Sequence, residues 1–452
     1  MKKLFSFCCV SLFLWVLAAC SEARFAGKVD ELRCEDLENP LGLDCSVPRL
    51  SWQITSRQAQ VMQTAYCILV ASSLEKLEAG KGDCWDSGKV NSDSSLWIPY
   101  GGKTLQSRSG YYWKVRVWTN KGMSDWSEPA CWTTGLMHPS DWKAQWIGLD
   151  KSYSSDRLEG STRLAARYLR KEFQLQGKPV SRAMLYLSGL GLYEAYVNGK
   201  NVDEGQALSP APTDYSKVVK YNTFDLTSVL KPGDNAIGVV LGNGRFFSMR
   251  QPGIRQFGFP KLILQLEVNY ADGSRQLVVS DTTWRVTADG PIRANSEFDG
   301  EEYDARMEMP GWNAPGFDAS RWLPAEAVQA PGGRLEGQEN RNIRVMAHVH
   351  PVKISQLKPG VYIMDMGQNM VGRLQMSVVG KAGQQVTLRF AETLKPDGSL
   401  YTANLRSAQA TDKYTLRGHD FRPEVWHPDF TYHGFRFVEI TGYPGKPSIG
   451  NF

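Results

Sequence analysis

Tyr112-Trp113-Lys114-Val115-Arg116-Val117-Trp118 is the stretch whose pattern decides the fold. Side chains alternate across a strand, so Trp113, Val115 and Val117 share one face while most of the charge falls on the other. The same period-2 pattern recurs along the chain. Leu192-Tyr193-Glu194-Ala195-Tyr196-Val197 runs into Asn198-Gly199, a pair suited to a type I′ turn because both central positions need positive φ. Leu262 to Val268 and Gln276 to Val279 flank Asp272-Gly273 and predict a second hairpin. Leu374-Met376-Val378 and Val386-Leu388-Phe390, on either side of Gly380-Lys381-Ala382-Gly383, predict a third. Helical periodicity is confined to scraps such as Ser73 to Ala79. The chain is expected to be all-β, in three consecutive sandwiches.

Composition agrees. The 452 residues are 42% hydrophobic and 22% charged, and they include 42 Gly, 23 Pro, 14 Trp, 18 Tyr and 18 Phe. That mixture suits short strands joined by tight turns, and the length suits about three domains. The 52 basic and 47 acidic residues leave a net charge of +5 with no basic run interleaved with aromatics, so no nucleic-acid partner is expected.

The first residues look like an export signal. Lys2 and Lys3 precede an apolar stretch from Leu4 to Leu17, too short for a comfortable permanent span. Leu17-Ala18-Ala19-Cys20 resembles a lipobox, so residues 1–20 read as a lipoprotein signal with its lipobox Cys, and Cys20 is the expected lipid-bearing first residue after cleavage ahead of it. The mature chain would be an exported cell-envelope lipoprotein, held to a membrane without crossing it. Cys34, Cys45, Cys67, Cys84 and Cys131 follow, and no C-x-x-C spacing suggests a zinc or redox centre.

Alternation breaks where Pro, Gly and Ser collect, giving expected units at 32–136, 167–324 and 345–443. A Trp-rich connector at 142–146, a linker at 330–344 and the start of another at 444–452 separate or follow them. In the first unit, Gly122-Met123-Ser124-Asp125-Trp126-Ser127 after the Trp-Lys-Val-Arg-Val strand resembles a fibronectin type III-like domain. The later two are expected to be jelly-roll or related sandwiches.

Several chemistries are excluded by spacing. The Gly that a P-loop would need before Gly102-Lys103-Thr104 falls on Trp97, and no G-x-S-x-G elbow occurs. His348 and His350 share one face of an extended stretch without an evident third metal ligand. Asp299-Gly300-Glu301-Glu302-Tyr303-Asp304-Ala305-Arg306 is the densest run of carboxylates. Asp299, Glu301, Glu302 and Asp304, with Asn243 and Arg245 of the Gly242-Asn243-Gly244-Arg245 turn, are candidate ligands for a sugar's hydroxyl groups or for calcium. Phe246, Phe247 and Tyr303 are the aromatics expected to cover the apolar face of such a sugar. Local capping and pairing with Arg306 is the structural alternative. No cofactor is required, and calcium is the one ion these residues suggest.

The ordered motifs resemble those of bacterial α-L-rhamnosidases of glycoside hydrolase family 78. Asn39-Pro40-Leu41-Gly42-Leu43-Asp44, Pro48-Arg49-Leu50-Ser51-Trp52, Trp85-Asp86-Ser87-Gly88 and Trp142-Lys143-Ala144-Gln145-Trp146-Ile147-Gly148 carry the first part. Thr213-Asp214-Tyr215 and the run from Asp299 to Arg306 carry the second. Met366-Gly367-Gln368-Asn369-Met370-Val371-Gly372, Arg389-Phe390-Ala391-Glu392, Asn404-Leu405-Arg406-Ser407-Ala408 and Thr431-Tyr432-His433-Gly434-Phe435-Arg436 carry the third. The resemblance implies inverting hydrolysis of terminal α-L-rhamnosides in rhamnose-containing glycans. It also implies that the acid and base lie on an (α/α)₆ toroid after the third β unit. The family's acidic motif has no counterpart in this sequence, so no catalytic residue is expected here and the chain is expected to be inactive by itself. A stand-alone surface carbohydrate-binding lipoprotein is the alternative.

Overall fold

The computed structural model describes residues 24–154, 156, 164–247, 257–418 and 422–452. The export signal and Cys20 lie outside them. Among the described residues the fold is all-β, with one short α-helix at Leu74–Glu78 and a few 3₁₀ turns. No helix among them is long and apolar enough to cross a membrane. The chain divides into two compact units. One takes residues up to Asn39 with Val47–Thr104 and Gly110–Cys131; the other takes Pro40–Ser46, Leu105–Ser109 and Trp132–Phe452.

In the first unit the Gly110–Thr119 strand pairs antiparallel with Gln63–Ala71, and Lys28–Cys34, Arg49–Thr55 and Ile98–Pro99 form a second sheet. Trp113, Val115 and Val117 are buried with Trp52, Ile68 and Val70, as their alternation predicts. The strand's outer edge is met by side chains: the Ser124 and Ser127 hydroxyls accept the backbone N–H groups of Val117 (3.0 Å) and Val115 (3.1 Å). Arg116 and Lys114 lie over the Trp126 ring at 4.5 and 5.2 Å. Cationic side chains thus shield the indole that the turn brings back onto the strand.

The second unit contains a two-sheet sandwich and a third β assembly. One sheet runs Lys200–Asn201, Leu192–Val197, Gly233–Gly242, Arg167–Leu175, Arg285–Thr287, Leu323–Pro324; the facing sheet is built on Lys261–Tyr270 and Val180–Leu190. Between them Leu169, Leu187, Tyr193, Ile237, Val239, Leu264 and Trp284 form the core. The Asn198-Gly199 turn forms as expected, with φ of 52° and 82°. The Arg275–Val279 strand pairs back on Lys261–Tyr270 through Asp272-Gly273.

Three expectations about pairing change. The Met376–Val378 strand pairs with Glu424–Trp426, and Gln385–Ala391 pairs with Thr411–Thr415 and His433–Thr441, so the Gly380–Gly383 turn closes no hairpin. Arg334–Gly337, within the expected linker, is a parallel strand beside Val218–Asp225. Asp44 secures it: one carboxylate oxygen accepts the Gly337 N–H and the other the Tyr221 hydroxyl, each at 2.5 Å. Burial pushes the Asp44 carboxyl up to about 6. Finally, Ile292–Ser296 and Gly300–Asp304, inside the stretch assigned to the second sandwich, pair within the third assembly's seven-stranded sheet. Gly300–Asp304 runs parallel to Thr411–Thr415 there. Such partners lie more than a hundred residues away, where local pattern carries no signal.

Candidate functional site

The acidic run does not gather into one cluster. On the Gly300–Asp304 strand successive side chains face opposite ways. Glu302 pairs with Lys413 at 2.9 Å, and Asp304 holds Arg306 by two bonds of 2.9 and 2.7 Å. Asp299 Oδ1 accepts the Gln409 N–H at 3.2 Å. Glu301 turns inward and is fully buried. Among the described residues no group of three or more His, Cys, Asp or Glu side chains is placed to hold a metal ion.

The other two candidates also separate. Asn243 is fully buried, donating to the carbonyls of Leu164 (3.0 Å) and Asn295 (2.9 Å), and it pins the turn. Arg245 is exposed and donates to Glu297 at 2.9 Å. Phe246 and Phe247 are buried, which turns them from the expected sugar platform into core.

What the fold does assemble is a carboxylate junction where the second sandwich meets the third assembly. Glu301 accepts backbone N–H groups from Phe430 (3.0 Å) and Asp429 (3.2 Å). The Phe430 ring lies against Gly242, where a Cβ would come within 2.4 Å of it. Leu192, Tyr168 and Val240 complete that apolar contact. Glu194 reaches the junction from the other side and accepts the Asn201 amide at 2.7 Å. Asp429 stands beside both glutamates, with Arg373 at 3.8 Å and His427 at 3.5 Å.

Burial, then repulsion from Asp429, pushes the Glu194 carboxyl up to about 8. The same causes carry Glu301 well above the ordinary range, although its backbone donors oppose the shift. Beneath them Asp412 accepts the Glu301 N–H (3.0 Å) and His433 Nε2 (3.0 Å), and His433 stacks on Phe390. Glu194, Glu301 and His433 all fall within motifs quoted from the sequence. The convergence of Glu194 and Glu301 on Asp429, and of His433 on Asp412, had no local signal.

The comparisons with known proteins follow this layout. Residues 29–138 match the family model of the Rha78A-like, N-terminal immunoglobulin domain. Residues 178–347 match the α-L-rhamnosidase N-terminal domain, and 355–451 the bacterial α-L-rhamnosidase concanavalin-like domain. An α-L-rhamnosidase of Alteromonas sp. is 38% identical over 415 residues, 90% of this chain and 44% of that protein. The structure is similar to that of α-L-rhamnosidase from Dictyoglumus thermophilum, with a TM-score of 0.85 at 39% identity over 94% of this chain and 48% of that one. It is also similar to the Streptomyces avermitilis α-L-rhamnosidase complexed with L-rhamnose, with a TM-score of 0.84 at 33% identity, over 94% of this chain and 57% of that one. The chain spans about half the length of the curated relatives it matches.

Proposed function

The chain belongs to the bacterial α-L-rhamnosidase family, matching the N-terminal part of its members, and from that premise we propose that it supplies the accessory β-domains of an enzyme hydrolysing terminal α-L-rhamnosides with inversion. The supporting observation is how its raised carboxyls are used. Glu301 is sealed and committed to two backbone donors, and Glu194 is tied to Asn201. An inverting glycosidase needs an acid and a base with room for substrate and water between them. Each carboxyl instead serves its own assembly, Glu301 by fixing the loop whose Phe430 ring seats on Gly242 of the sandwich and Glu194 by holding Asn201.

L-rhamnose at the end of a glycan is the proposed substrate unit, in keeping with the sugar bound to the Streptomyces avermitilis relative. Anchoring through Cys20 in the cell envelope is part of the same proposal, resting on the Leu-Ala-Ala-Cys sequence. Because the acids of the 299–304 run are engaged by protein groups, ligand binding is expected to be independent of calcium. Calorimetry of the chain with L-rhamnose, with and without a chelator, tests this: a heat abolished by chelation would contradict it. Purified residues 21–452 are expected to leave an aryl α-L-rhamnoside uncleaved.

A further inference from the structure

Among the described residues Trp97 is the one tryptophan classed as exposed, at 58%. It is not loosely held. Its backbone N–H donates to the Ser51 hydroxyl at 2.9 Å, and its indole N–H donates to the Asp36 carboxylate at 3.0 Å. The Arg49 guanidinium lies 5.3 Å from the ring centre and is itself fixed by Glu35 through bonds of 2.5 and 3.0 Å.

The backbone adds a second observation. Trp97 has φ of 54°, the left-handed region that a bulky side chain rarely enters, and Glu35 and Asp36 beside it have φ of 52° and 61°. Strained non-glycine residues persist only where their surroundings over-determine them, and they concentrate at functional sites. Here the strain holds an indole outward without burying it.

We propose that Trp97 is the platform of a glycan-binding site on the first unit, taking the apolar face of a neutral pyranose. Aromatic rings with an apolar face and a tied polar edge suit such a ligand. The exposed rim supplies groups for sugar hydroxyls: Asp36 and Arg49. Charge selects the ligand further. Asp36 on the indole N–H, with Arg49 over the ring offset by Glu35, leaves one net negative charge at the ring. That balance disfavours a uronate polymer.

Affinity electrophoresis of the full chain tests this, in gels holding a neutral rhamnan, a galactomannan, a xyloglucan or polygalacturonate. Retardation is expected in at least one neutral gel and not in polygalacturonate. Trp97→Ala is expected to weaken it about tenfold, Trp97→Phe less, and Asp36→Ala to an intermediate degree by freeing the indole. Circular dichroism melts of the variants should match the parent, because Trp97 contributes little buried area. Wild-type protein unretarded by every neutral glycan would overturn the proposal, as would Trp97→Ala migrating like wild type. Self-association lost in Trp97→Ala, seen by sedimentation without glycan retardation, would assign the ring to a second copy of the chain and also overturn it.

Discussion

Glu301 Oε2 accepts the backbone N–H of Phe430 at 3.0 Å, although 129 residues separate them in the chain. The carboxyl therefore fixes the loop that seats the Phe430 ring on Gly242. Replacing Glu301 with Ala leaves the buried Phe430 N–H and the half-buried Asp429 N–H without their acceptor and should cost about 3 kcal/mol, at roughly 1–3 kcal/mol for a buried group and less for the other. Gln keeps an acceptor for those N–H groups and removes the charge. Urea denaturation should therefore place Glu301→Gln near wild type and Glu301→Ala well below it. Equal losses would show that the acceptor is not what matters.

The pH dependence of stability should report Glu194. Its carboxyl rises from an ordinary 4.5 to about 8 on folding. Between those values the folded state holds a proton that the unfolded chain has lost, so this group's contribution falls as pH rises and levels off above about 8. Glu194→Gln cannot titrate. It should melt with wild type at pH 5 and at a higher temperature than wild type at pH 8.5, and parallel curves would refute the assignment.

Gly242→Ala tests the apolar side of the same junction. The new methyl would sit 2.4 Å from the Phe430 ring, so ring or strand must shift. Overpacking of this kind costs about 1–3 kcal/mol. A thermal melt should show the loss, and pairing it with Phe430→Leu should recover part of it. A Gly242→Ala protein as stable as wild type would mean the ring is not held where the structure puts it.

Anchoring is tested by fractionation. If Cys20 carries acyl chains, Cys20→Ala should move the protein out of the membrane fraction, since each buried methylene contributes about 0.8 kcal/mol. An unchanged distribution would contradict the lipobox assignment.

Much of the fold was legible because it is local. The Tyr112–Trp118 alternation gave its buried face, and Asn198-Gly199 gave its turn. The Gly380–Gly383 turn misled because a glycine-rich turn records a change of direction and not the partner of the strand that follows. The 299–304 acids looked like one cluster only in sequence; strand alternation and distant partners such as Lys413 divide them. Glu194, Glu301 and Asp429 come from separate strands and loops, so nothing short of the topology unites them. Trp97 was visible only as the residue that spoils a P-loop. Its exposure and left-handed backbone belong to tertiary structure.

Turnover of an aryl α-L-rhamnoside by purified residues 21–452 tests the central claim most directly. The account predicts no release of the aglycone above an empty-vector preparation, because the carboxyls of the junction serve the fold. Release well above that control, lost in Glu194→Gln or Asp429→Asn protein that remains folded, would contradict it and make the junction an active site.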